Sequence, residues 1–237
     1  MKYEAVIFDL FGTLIYKFPL REHMRILSKM ASVVSVPPDD FVRLWFDTFD
    51  ERGLGVFSIE TNVEHICRKI GVKPENDQIE LAAHINLEYA VRTINPLPDS
   101  LQVLSYLKSQ GYRIGLISNC SSSIPQMVNK LPFAPLIDVS VYSSLVGIQK
   151  PDPRIYQLAV EQLAVEPKDC LYIGDGDSQE LTGASKVGMQ PVLLRLPNED
   201  DTDVHRVDTE RDIWDGPIIS SLTEIVTLIK RLRWRND

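Results

Sequence analysis

Short β-rich apolar runs recur along the 237-residue chain, each ending near polar or glycine residues. They are "EAVIFD" (4–9), "YRIGLIS" (112–118), "VSVYSS" (139–144), "CLYIGD" (170–175), "QPVLLR" (190–195) and "PIIS" (217–220). Helical patterns fill the intervals at roughly 99–110, 122–131, 153–164, 178–188 and 221–233. Alternation of this kind builds a parallel sheet covered on both faces, and the near-continuous apolar runs fit strands buried on both sides. The expected fold class is therefore α/β.

Residues 16–95 break the rhythm. They offer helical periodicities and no convincing strand. "DDFVRLWFDTF" sets Phe41, Leu44, Trp45, Thr48 and Phe49 at helical spacing, with Asp39 or Asp40 as N-cap. Further helices are expected near 20–34, 58–70 and 75–92. "NPLPDS" (95–100) reads as a returning linker. The expected organisation is a core of residues 1–15 and 96–237, with a helical module, 16–95, inserted after the first strand.

Bulk properties narrow the partners. A net charge of -8 argues against general nucleic-acid or anionic-membrane binding. No apolar run is long enough to span a bilayer. "MKYEAVIFDL" carries charge within its apolar run and no small-residue cleavage site, so it does not read as a signal peptide. Cys67, Cys120 and Cys170 form no paired or metal-ligand spacing. A cytoplasmic protein acting on a small molecule is expected. The acidic segment 196–216 reads as a solvated surface loop.

In an open parallel sheet, ligands bind beyond the carboxyl ends of the strands. The informative polar residues gather there. Asp9, Gly12 and Thr13 follow the first run, Ser118-Asn119 end the second, Lys150 precedes the 153–164 helix, and Gly174-Asp175 end the fourth. Singly, each has a structural explanation as turn former, helix cap or surface lysine. Asp152 with Pro153 makes a helix start, and Asp177 with Glu180 a capping pair. Together, on one edge, they suit phosphoryl chemistry. Asp9 and Asp175 suit a shared Mg²⁺, which prefers oxygen ligands. Lys150 would neutralise a bound anion, and backbone N–H groups around Gly12 and after Asn119 would hold its oxygens. A carboxylate held against phosphorus can act as nucleophile.

Four motifs in this order, "DLFGT" (9–13), "ISN" (117–119), "KPDPRIY" (150–156) and "GDGDSQELTGASKVGM" (174–189), resemble the haloacid dehalogenase superfamily of Asp-nucleophile hydrolases. The resemblance implies a Rossmann-like parallel-sheet core with helices on both faces and a helical cap inserted after the first motif. It implies Asp9 as nucleophile, Thr13 as support for its loop, and Ser118 and Asn119 as ligands of the substrate's phosphoryl or carboxylate group. Lys150 would pair with Asp9 and the anion. Asp175, Asp9 and the Phe11 carbonyl would hold Mg²⁺, with Glu180 orienting Lys150 or a metal-bound water and Asp177 close by.

Phe11 departs from the pattern. Phosphatases of this family usually carry an aspartate there, which protonates the leaving group and then activates water. General acid–base help is worth about 10²–10⁴ in rate. The resemblance thus supports a Mg²⁺-dependent phosphatase or phosphotransferase acting on a small phosphorylated molecule. A 2-haloacid dehalogenase is the alternative, because halide departs without a proton. That activity also needs a cap arginine, and Arg43 is nearest by spacing, although a solvent-facing helix position near Asp47 is the better explanation of it. A binding or regulatory protein that lost turnover is a further alternative. The sequence does not rank the cap residues His23, Arg25, Trp45 and Arg52.

Overall fold

The computed structural model describes residues 3–197 and 213–234. A six-stranded sheet forms its centre, all strands parallel, in the order β3-β2-β1-β4-β5-β6. The strands are β1 (Ala5–Phe8), β2 (Arg113–Ser118), β3 (Val139–Tyr142), β4 (Cys170–Gly174), β5 (Gln190–Leu194) and β6 (Ile218–Ile219). Alternate side chains of β1 enter two different cores, as the two-residue period of a strand requires. Val6 and Phe8 join one apolar cluster, Ala5 and Ile7 the other.

Between β1 and β2 run α1 (Leu20–Val33), α2 (Pro38–Asp47), α3 (Phe49–Gly53), α4 (Ile59–Ile70), α5 (Asn76–Thr93) and α6 (Ser100–Ser109). The later helices are α7 (Ile124–Val128), α8 (Ser143–Val146), α9 (Pro153–Leu163), α10 (Glu180–Lys186) and α11 (Glu224–Trp234). Leu104 of α6, Val128 of α7 and Ile225 of α11 cover the Val6/Phe8 face. Ile155 of α9 and Leu181 of α10 cover the other. Helices α1, α2, α4 and α5 close on a core of their own, with Leu27, Phe41, Val63 and Tyr89. The chain leaves the sheet and returns side by side: Tyr16 N–H donates to Asn95 O at 3.1 Å and Leu97 N–H to Leu14 O at 2.9 Å. Among the described residues no helix is long and apolar enough to cross a membrane.

Three expected elements are shorter than their patterns. The 41–49 stripe breaks at Thr48, whose hydroxyl donates to the Leu44 and Trp45 carbonyls, and the chain restarts as α3. The strand expected through 144 stops at Tyr142 and turns into α8. The helix expected from 178 starts at Glu180, because Ser178 and Gln179 sit at φ of 58° and 49°, in left-handed backbone that no right-handed helix contains. Most of the 196–216 loop, residues 198–212, lies outside the described residues.

Candidate active site

Strand β1 sits between β2 and β4, so the chain winds outward on one side and then crosses back to the other. This is the switch point where open parallel sheets bind ligands. Asp9 ends β1 and Asp175 ends β4 there, 5% and 6% exposed. Lys150 arrives from the loop before α9 and donates to Asp9 Oδ1 at 2.5 Å and to Glu180 Oε2 at 2.6 Å. Glu180 is fully buried and also accepts from Tyr172 OH at 2.8 Å and from the Gly176 N–H at 3.0 Å. A side chain at Gly174 would collide with the Glu180 carboxylate, so the glycine makes room for it. Glu180 and Tyr172 thereby fix the ammonium that touches Asp9.

Glycine at position 12 has a similar reason. Its φ is +75°, and a Cβ there would lie 2.5 Å from both Asp175 Oδ2 and Lys17 Cε. Lys17 Nζ stands 2.7 Å from Asp175 Oδ2 and 3.5 Å from Asp177 Oδ2. Sequence reasoning passed over Lys17; the available signal was a charge inside the apolar run "TLIYKF". Tyr172 gave no signal, being one more apolar-run residue of β4.

The electrostatics follow from three carboxylates in one buried place. Burial pushes the Asp9 carboxyl up, Lys150 pulls it down and Asp175 pushes it up again; the net shift is upward. Burial raises Glu180 well above the usual carboxyl range, with Lys150 opposing and Asp9 and Asp175 adding to it. For Lys150, burial alone would depress the ammonium, but Asp9 and Glu180 more than offset it and raise it. Burial would likewise raise Asp175, but the Lys17 ammonium and the Asp177 N–H hold it below its usual value. Burial drives the Cys120 thiol up to about 12, so it is no ready thiolate.

Carboxylate oxygens of Asp9, Asp175 and Glu180 lie within 4.8 Å of one another. With the Phe11 carbonyl at the same loop, the donors are hard oxygens of the kind Mg²⁺ takes. Three carboxylates face two ammonium groups, an excess of negative charge that a divalent cation would relieve. The residues therefore fit such an ion.

Other expected residues are placed as follows. Thr13, in the turn after β1, is fully buried and its hydroxyl makes no hydrogen bond; Ser118, the last residue of β2, is also fully buried. Asn119 binds the backbone of Lys150 rather than facing a ligand with a free amide: its Oδ1 accepts from the Lys150 N–H at 2.8 Å, and its Nδ2 donates to Lys150 O at 3.1 Å and to Ser178 Oγ at 3.2 Å. Arg43 requires a correction. It is exposed on α2, paired with Asp40 at 2.9 Å and Asp47 at 3.6 Å, and it does not line the cavity over the site. The arginine that does is Arg52 of α3. That cavity, about 160 Å³, runs from Phe11, Asn119 and Asp177 on the sheet side to Trp45, Phe49 and Arg52 on the inserted helices.

Residues 3–188 match the family model of haloacid dehalogenase-like hydrolases. The chain is 26% identical over 159 residues to a glyceraldehyde 3-phosphate phosphatase of Methanopyrus kandleri, covering 63% of this chain and 68% of that protein. It is 29% identical over 131 residues to (S)-2-haloacid dehalogenase 4A of Burkholderia cepacia, covering 53% and 56%. In fold it is similar to a HAD phosphatase from Thermococcus onnurineus, with a TM-score of 0.65 and 21% identity over 95% of this chain and 97% of that one. Relatives of both activities share the fold, and the match takes in Asp9, Ser118, Lys150, Asp175 and Glu180 alike. By that match, across most of its length, the chain belongs to the haloacid dehalogenase-like hydrolases.

Proposed function

We propose that this hydrolase is a Mg²⁺-dependent phosphatase of a small phosphorylated molecule, with Asp9 as its nucleophile. The observation that carries the reading is the buried cluster of three carboxylates, Asp9, Asp175 and Glu180, set against two ammonium groups, whose excess negative charge calls for a cation before a phosphoryl group can enter. When bound by Asp9, Asp175 and the Phe11 carbonyl, Mg²⁺ would neutralise phosphoryl charge. Lys150 favours the ionised form of Asp9 and aims it, and Glu180 and Tyr172 keep Lys150 in place. An Asp9 oxygen attacks phosphorus, the bond to the leaving oxygen breaks with its electron pair, and water then hydrolyses the acyl phosphate and restores Asp9. Thr13, Ser118 and the N–H groups near Gly12 serve the anion, and residues 16–95 act as the cap that selects the substrate. Three buried free cysteines suit a reducing cytoplasm.

The test is phosphate release from monoesters and acyl phosphates with and without Mg²⁺. No turnover of any substrate, beside a working control, would overturn the reading. Phe11 provides a sharper probe. It is half-buried and packs edge-on against Phe18, ring centroids 5.4 Å apart. Phe11→Asp is expected to raise turnover of alkyl monoesters, toward the factor of about 10²–10⁴ that acid–base help supplies. No rise in a folded, Mg²⁺-binding variant would show that position 11 is not limiting.

Phe11 also favours a second reading, dehalogenation, because a departing halide needs no proton. Chloride release from L-2-chloropropionate, unaffected by EDTA, would establish it. Arg43, exposed and paired with Asp40, lends that reading no support.

A further inference from the structure

Arg52 is 7% exposed, yet no carboxylate lies within ion-pairing distance of it among the described residues. Its guanidinium donates to the Trp45 carbonyl and to Thr48 Oγ1 at 2.8 Å, and its Cζ lies over the Trp45 ring, 4.4 Å from the centroid. Burial pushes its pKa down to about 9, with only a weaker opposing pull from the adjacent Glu51, which makes no ion pair with it. A buried cation without a counter-charge is strongly unfavourable unless something pairs with it. Arg52 lines the cavity that opens over Asp9's loop, so a ligand there can supply the charge.

The element carrying Arg52 is locked to the sheet side. Ser143 Oγ donates to Gly53 O at 2.6 Å, Gln149 Nε2 donates to Asp50 Oδ1 at 3.1 Å, and a side chain at Gly55 would collide with Ser144 O. Gln149 directly precedes Lys150. The guanidinium is therefore held in register with the nucleophile loop.

Between the two ends the wall is aromatic without a break. Phe11 meets Phe18 at 5.4 Å, Phe18 meets Tyr89 at 5.6 Å, Tyr89 stacks on His23 at 5.7 Å, and His23 meets Trp45 edge-on at 6.5 Å. The cavity of about 160 Å³ matches the scale of one that holds a benzene ring, about 150 Å³. Phe11, at the reacting end, has no proton to give a leaving oxygen. A phenolic oxygen, with a pKa near ~10, leaves without one far more readily than an alkoxide does.

We propose that the cavity selects a small aryl phosphate bearing a second anionic group, with Arg52 receiving that group and the aromatic wall receiving the ring. This rests on the phosphatase reading for the reaction, though not for the binding of the anion. The products would be inorganic phosphate and a phenol, the phosphorus–oxygen electron pair leaving on the phenolate oxygen.

The experiment compares kcat/KM for 4-carboxyphenyl phosphate, phenyl phosphate and the phosphate ester of 3-hydroxypropionate with Mg²⁺, on wild type and Arg52→Met, together with calorimetric binding of 4-hydroxybenzoate and phenol to the wild type. A hydrogen-bonded charge pair predicts that wild type prefers the carboxylated aryl ester over phenyl phosphate by about tenfold or more. The preference should collapse toward parity in Arg52→Met, and 4-hydroxybenzoate should bind at least about tenfold tighter than phenol. The binding arm needs no variant, so a misfolded Arg52→Met leaves the anion site testable. Equal kcat/KM for the two aryl esters, with equal binding of the two phenols, overturns the anion site while the phosphatase reading stands. Turnover of the phosphate ester of 3-hydroxypropionate as fast as the carboxylated aryl ester overturns the aryl preference. No phosphate from any ester, with 4-hydroxybenzoate still bound tightly, overturns the phosphatase reading and supports the Arg52 site.

Discussion

Asp9→Asn is expected to reduce phosphate release by about 10⁴–10⁶-fold, the range seen when a nucleophile or its close partner is removed. Asparagine is nearly isosteric with aspartate, so the loop Asp9–Thr13 keeps its shape, yet the amide oxygen is a poor nucleophile. The same substitution removes one of three carboxylates crowded at the strand ends. Lys150 keeps its 2.6 Å bond to Glu180, so no buried ammonium is left without a counter-charge. The folded state should therefore suffer little: the urea midpoint is expected at or above that of wild type, because burial and Asp175 both work against the charge on Asp9. Initial rates with saturating Mg²⁺, set beside urea unfolding, check both parts. Residual turnover above about one hundredth of wild type would remove Asp9 from the nucleophile's role. Beryllium fluoride gives an independent reading, since wild type should form the phosphate mimic with Mg²⁺ and the variant should not.

The fold was legible because its signals are local and repeated. A strand such as "CLYIGD" carries its own apolar pattern, its stop and its terminal carboxylate in six letters. Five runs of that kind fixed the parallel sheet, and their carboxyl ends placed Asp9, Ser118 and Asp175 on one edge. Elements decided by backbone geometry were not legible in this way. Nothing in "GDGDSQEL" announces that Ser178 and Gln179 take left-handed conformations, which delays α10 to Glu180 and frees that carboxylate for Lys150. Asn119 was assigned to the substrate by its position, and its amide turns out to clamp the Lys150 backbone across 31 residues of chain. Arg43 and Arg52 lie nine positions apart on the inserted helices, and both read as amphipathic-helix cations. Nine positions already set them half a turn apart, and which of the two faces meets the cavity is decided where α3, restarted after the break at Thr48, docks on the sheet side. Such choices depend on how distant segments meet, which one-dimensional spacing does not encode.

Lys150→Met is expected to destabilise the fold by about 3–5 kcal/mol, the usual consequence of removing one side of a buried ion pair. Methionine fills the volume of the lysine stem, so the loss is electrostatic. Asp9 and Glu180 then face each other and Asp175 with no ammonium between them, and Tyr172 OH and the Gly176 N–H alone serve Glu180. The pH dependence identifies the cause. Without Lys150, the largest downward pull on both carboxyls is lost, leaving Asp9 only its bond to the Leu10 backbone, and both carboxyls move further above their unfolded values. A carboxyl that holds its proton more tightly when folded makes the folded state bind more protons than the unfolded chain. Stability then rises as pH falls toward the unfolded carboxyl range near ~4, and declines as pH rises. Lysine is protonated in both states throughout that window, so Lys150 contributes no slope of its own there. The gap between variant and wild type should thus be widest near pH 8 and narrow toward pH 5, read as urea-unfolding free energies. Adding Glu180→Gln to Lys150→Met should restore part of the loss at pH 8, since the amide can be buried without charge, and the coupling between the two sites should appear as strong non-additivity. A single-variant loss under about 1 kcal/mol, or one that is flat between pH 5 and 8, would mean that Lys150 is not the counter-charge on which the buried carboxylates depend.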